Sequence, residues 1–194
     1  MSFEFHDILC LIAVTQLALF SLFLVTQKKG NPLSNRLLAL FLFSKSLGVV
    51  NHLFVRLEIR NPDLFFILVP FAFLWGPSLY LYIKSRVHDN FRLNGRDAVH
   101  LIPFFLVWTY FTYIYHLRSS SSKSQIITSV MSEITMPQII IVATIHLLIF
   151  LYMIGAVRIL LAYRAFLNST LEQSGKKNLS ASLEFKPRLD LKDI

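Results

Sequence analysis

Cysteine is all but missing: Cys10 stands alone in 194 residues, so no disulfide can close within one chain and no cysteine cluster can hold a metal. Cys10 lies in an apolar run, where a short thiol packs as a small hydrophobe. Charge is scarce at 15% of residues, and acidic charge scarcest, with 11 Asp and Glu against 19 Lys and Arg. The six glycines are scattered and form no phosphate-cradling loop. Gly-x-Ser-x-Gly, His-Glu-x-x-His and paired carboxylates within apolar segments are also missing. The expected class is therefore not an enzyme. Ser44 or Ser46 with His52 supplies the residue types of an intramembrane hydrolase, as many helical bundles do by chance.

Apolar residues fill the gap: 55% of the chain is hydrophobic and the mean hydropathy is +0.57, more than a water-soluble core of this length needs. The surplus predicts an all-α integral membrane bundle of about five transmembrane helices over 8–25, 37–55, 64–83, 100–115 and 137–161. Residues 1–163 form the bundle, and 164–194 a basic cytoplasmic tail that begins as a helical extension and frays into disorder. Glu4 and Asp7 precede the first run, so it lacks the positive start of a cleaved signal peptide and reads as a retained helix. Asn61 and Pro62 favour a turn between the second and third spans, Ser119–Ser122 ends the fourth, and Thr135 caps a fifth that starts at Pro137.

Basic loops are held in the cytoplasm, which fixes the expected orientation. With the amino terminus outside and the carboxyl terminus inside, thirteen Lys and Arg are cytoplasmic and four are not; Lys45 and Arg158 lie within spans. Trp108, Tyr110, Tyr113 and Tyr115 then fall toward the outer end of the fourth span, where amphipathic rings favour the headgroup layer. The sequons at Asn168 and Asn178 lie on the cytoplasmic side and are not expected to carry glycans.

Lys45 is the residue that most needs a reason, because no acidic residue falls inside a span to pair with it. Two readings stand: a ligand-binding or gating lysine in a wet bundle interior, or a lysine snorkelling from a shifted helix. Asn51 and His52 follow two turns further along, His146 lies mid-way along the fifth span and Gln16 within the first. They either line one polar pocket with Lys45 or act as hydrogen-bonding glue between helices. Gly76 and Pro77, with Pro70 before them, give the third span a kink that is either a hinge or a static bend. The histidines have no tight metal-binding spacing, and neither metal nor cofactor is expected.

The run Gly76-Pro77-Ser78-Leu79-Tyr80-Leu81-Tyr82-Ile83-Lys84, followed after a basic loop by Ala98-Val99-His100-Leu101-Ile102-Pro103-Phe104, carries a resemblance. Over residues 11–164 the chain resembles the membrane half of bacterial regulators in which a multi-span region precedes a cytoplasmic AraC-type helix-turn-helix domain. The resemblance implies a multi-pass protein of the bacterial cytoplasmic (inner) membrane, sensor-like, signalling to a cytoplasmic protein partner or a second copy. Further spans and a DNA-binding domain typical of the family have no counterpart in these 194 residues, so direct nucleic-acid binding is not expected. The alternatives are a small transporter or channel component with Lys45 facing an anion path, and a remnant without activity of its own.

Overall fold

The computed structural model describes residues 4–56, 63–88 and 90–175. Helix α1 (Phe5–Thr26) opens where the Asp7 carboxylate accepts the Glu4 N–H at 2.9 Å, satisfying one of the donors that a helix start leaves free. Its 22 residues cover roughly 33 Å at about 1.5 Å each, and apolar side chains project from most of its circumference. Such a surface belongs in lipid. Gly30, at φ +84°, then reverses the chain. The Asn31 carboxamide oxygen accepts the N–H groups of Leu33 and Ser34 at 3.0 and 3.2 Å, and Pro32 begins α2 (Pro32–Arg56) at the position where its missing N–H is not needed.

Helices α1 and α2 run antiparallel in a register that small polar residues record. The Ser21 hydroxyl donates to the Ala39 carbonyl at 2.9 Å and the Ser46 hydroxyl to the Val14 carbonyl at 3.2 Å. Small residues at these crossings let the two backbones approach. At the far end Arg56 pairs with both Glu4 and Asp7, the second of which is buried.

The third apolar segment differs from the single kinked helix expected over 64–83. Phe66 sits at φ +64°, a 3₁₀ helix covers Val69–Leu74, and α3 (Trp75–Val87) follows directly. Pro70 and Pro77 explain the change of helix type. Each lacks a donor, and in an α-helix the ring of Pro77 would crowd the Phe73 carbonyl; here Pro77 falls in the first turn of α3, where neither defect matters. The change of pitch thus lies between Leu74 and Trp75, just before Gly76 and Pro77.

The fourth segment is one helical run of three pitches: a 3₁₀ turn over Gly95–Leu101, α4 (Ile102–Phe111) with Pro103 in its first turn, and a π-helical turn over Thr112–His116. The serine run does not simply end this span. A further helix, α5 (Ser120–Ser132), starts directly after Ser119, where no helix is expected from the sequence. The packing explains it: Ile127 is buried against Phe65 and Tyr115, and the Lys123 ammonium reaches the Asp63 carboxylate at 3.1 Å. Thr135 precedes α6 (Met136–Gly175), its N–H and its hydroxyl both donating to the Gln138 carboxamide oxygen, at 2.6 and 3.0 Å. Pro137 is the second residue of that helix. The 40 residues of α6 continue without a break past 164, so the expected tail is helical through Gly175. The Asn61-Pro62 turn and residues 176–194 lie outside the described residues.

Helix α3 sits at the centre. It runs antiparallel to α2, with the Ser34 and Ser85 hydroxyls 2.9 Å apart, and antiparallel to α4, where Phe71 meets Phe104 and Lys84 meets Asp97. It runs parallel to α6: Gly76 faces Tyr152 and, a turn later, Tyr80 faces Gly155. Among the described residues four stretches are long and apolar enough to cross a bilayer, namely Phe5–Thr26, Pro32–Arg56, Gly95–His116 and Met136–Thr170, which makes the chain an all-α membrane protein by length and composition.

Candidate functional site

A groove runs between α2 and α6, with the 3₁₀ segment and α3 as its floor. It holds two adjoining cavities that share Trp75 as a wall, one of about 200 Å³ beside Lys45 and one of about 680 Å³ toward the Arg56 end. The larger lies within the range of about 300–1,000 Å³ typical of sites that engulf small molecules. Its walls are mostly apolar, with Asn51, Arg56, Gln138 and His146 as the polar exceptions.

Trp75 owes its place to a glycine: a Cβ on Gly48 would lie 2.4 Å from the indole Cζ2. One turn earlier on the same helix, the Lys45 ammonium rests over the indole, 3.6 Å from the Trp75 ring centroid and 5.9 Å from that of Phe41. This cation–π contact contributes on the order of 2 kcal/mol when desolvated, but leaves the charge itself uncompensated. The indole N–H of Trp75 is buried and has no acceptor among the described residues. Buried donors are normally paired, so this one marks a place where an acceptor would be welcome.

Asn51 and His146 share the larger cavity from opposite walls. His146 Nδ1 is 2.7 Å from the Val142 carbonyl, which can only accept, so in the neutral ring Nδ1 carries the proton and Nε2 offers a lone pair. Arg56 and Gln138 are already engaged, the first with Glu4 and Asp7, the second with Thr135 and the Val130 carbonyl.

His52 does not join them. Its Nε2 lies 3.5 Å from that of His6 on α1, and the Cys10 sulfur lies 3.4 Å from the same His6 nitrogen. Seven residues return a helix to nearly the face of Lys45, yet the neighbour on that face changes with depth, and at His52 it is the first turns of α1. Ser44 and Ser46 spend their hydroxyl protons on the Phe41 and Val14 carbonyls, not on His52. Among the described residues no three His, Cys, Asp or Glu side chains are grouped to hold a metal ion.

Sequence reasoning did not single out Trp75, nor the cluster beyond it in which the Tyr152 hydroxyl meets His100 Nδ1 at 2.8 Å and Tyr80 packs on both rings. Tyr80 and His100 stand in the two runs that carry the resemblance, but their meeting with Tyr152 rests on complementary pairs, Gly76 opposite Tyr152 and Gly155 opposite Tyr80, which are 76 and 75 residues apart and invisible without the fold. Compared with family models, characterised proteins and solved structures, the chain matches none.

Proposed function

We propose that this protein is a bacterial inner-membrane sensor, akin to the membrane half of AraC-type regulators, in which the groove between α2 and α6 receives the stimulus and α6 carries it to the cytoplasm. The observation that carries this reading is that one unbroken helix does both: α6 forms a wall of the groove at His146, Ile149 and Tyr152 and then runs on to Gly175. At about 1.5 Å per residue its 40 residues reach roughly 60 Å, twice the hydrocarbon thickness of about 30 Å. The surplus projects beyond Val87 and Ile159, at the end of the bundle that bears Lys84 and Arg86.

On this reading the chain crosses the membrane five times, amino terminus outside and carboxyl terminus inside. The broken third segment is long enough for a crossing: about 12 Å of 3₁₀ helix and about 20 Å of α3 together match the hydrocarbon. Its direction, opposite to α2 and α4 and shared with α6, is the one that five alternating crossings require. The excess of Lys and Arg at the Ser34–Ser85 end agrees with the inside of a bacterial membrane. Gly76 and Pro77 serve as the hinge, at the change of pitch beside the groove. The partner is a cytoplasmic protein or a second copy of the chain, and no catalysis is assigned.

Photocrosslinking in cells tests this. A benzophenone amino acid in place of Ala165, on the exposed face of the α6 extension, is expected to trap a cytoplasmic protein or a second copy, with a yield that changes when Lys45→Ala or Asn51→Ala is added. An adduct indifferent to the groove, or none at all, refutes the sensor reading.

A further inference from the structure

Lys45 lies about 20 Å from the Pro32 end of α2 and about 16 Å from its Arg56 end at about 1.5 Å per residue, near the middle of a helix long enough to cross a bilayer. Among the described residues each ion pair is at one end or the other: Arg56 with Glu4 and Asp7, Lys123 with Asp63, Lys84 with Asp97. None reaches Lys45. An ammonium at this depth with only ring faces for company is costly, and intramembrane cations that persist face a polar cavity or a counter-ion. Beside it the Trp75 indole N–H is buried and unpartnered. A cation and a buried indole N–H thus share one ring, neither with an acceptor among the described residues, next to a mostly apolar cavity of about 680 Å³.

We propose that the groove binds a single-chain carboxylic acid of fatty-acid size, its carboxylate held by Lys45 and the Trp75 N–H and its apolar chain lying in the larger cavity toward Arg56. Charge complementarity selects the carboxylate, since it supplies the missing counter-ion and the missing acceptor together. Depth selects a single-chain acid over a bilayer phospholipid. A phosphodiester head stays at the surface, about 16 Å from Lys45, whereas a carboxylic acid can traverse hydrocarbon in its neutral, protonated form and ionise on meeting the lysine. The mostly apolar lining of the outer cavity suits an alkyl chain. This names the stimulus class for the groove that the sensor reading takes as its input.

Contact quenching tests the proposal directly. The chain has two tryptophans, Trp75 and Trp108, so a Trp108→Phe protein in phosphatidylcholine nanodiscs reports from the groove alone. Titration with 9,10-dibromostearic acid is expected to quench Trp75 saturably, with the matching dibromostearyl alcohol binding on the order of tenfold more weakly. Lys45→Met, which removes the charge and keeps the bulk, abolishes that preference; Lys45→Arg retains it. Quenching that does not saturate, that treats acid and alcohol alike, or that is unchanged by Lys45→Met overturns the proposal. Brominated phosphatidylcholine quenching Trp75 as strongly as the acid also overturns it, in favour of bilayer lipid as the occupant. Carboxylate-selective binding that leaves the Ala165 crosslink unmoved would sink the sensor reading alone; a groove-dependent crosslink without carboxylate selectivity would sink this one alone.

Discussion

Two glycines of this chain are required for opposite reasons, and substitution separates them. At position 48 the backbone is helical and the demand is for space, because an added Cβ would overlap the Trp75 ring at 2.4 Å. At position 30 nothing lies within 4 Å and the demand is for backbone freedom, at φ +84°. Gly48→Ala is expected to destabilise the protein by about 1–3 kcal/mol through overpacking, and to shift Trp75 emission as the ring leaves its seat. Gly30→Ala is expected to cost roughly 1–2 kcal/mol through left-handed strain and to leave the emission untouched. Thermal unfolding in detergent with fluorescence detection distinguishes the two; equal spectral changes would refute the account of Trp75.

Among the elements, α3 is the least legible in the sequence and the most consequential in the fold. Hydropathy marks the segment 64–83 as apolar, but Pro70 and Pro77 are compatible with a kinked α-helix as well as with a 3₁₀ turn followed by an α-helix. Packing of Phe66, Phe71 and Trp75 on their neighbours settles it. Helix α5 escaped notice for a related reason. Serine and threonine have weak helix propensity, and only the burial of Ile127 and the Lys123–Asp63 pair draws the stretch into a helix. The start of α6 near Thr135 and Pro137 is legible to within a residue, since the chemistry of a helix start is local. The register of α2 against α3 gives a sharp check. In a Cys10→Ser background, Ser34→Cys with Ser85→Cys should form a disulfide under mild oxidation, because the two hydroxyls are 2.9 Å apart. Ser34→Cys with Ser78→Cys, two turns away, should not; the reverse outcome would mean the register is wrong.

At the scale of the molecule, the question is whether the broken segment crosses. A five-crossing chain places Asn94 in the cytoplasm and Ser121 outside, whereas a third segment that dips in and returns would put Asn94 outside and Ser121 within. Single cysteines at these positions, again with Cys10→Ser, should answer to a membrane-impermeant maleimide in intact cells: Ser121→Cys labelled at once, Asn94→Cys only after lysis. The opposite pattern removes the fifth crossing and the orientation together. Legibility followed range here too. Apolar runs near 8–25 and 37–55 announce their helices because lipid alone decides them, and a lone Lys45 announces itself by its charge. The company each residue keeps is a matter of crossing geometry, and so His52 turned out beside His6, and Trp75 beside Lys45.

The length of α6 has one more consequence. From Tyr152 in the groove wall to Gly175 the helix is unbroken and measures about 35 Å, so any tilt at one end is amplified at the other. A tilt of about 5° at Tyr152, too small to disturb the packing of any single side chain, would sweep the far tip through about 3 Å, the scale on which subunit contacts are made and broken.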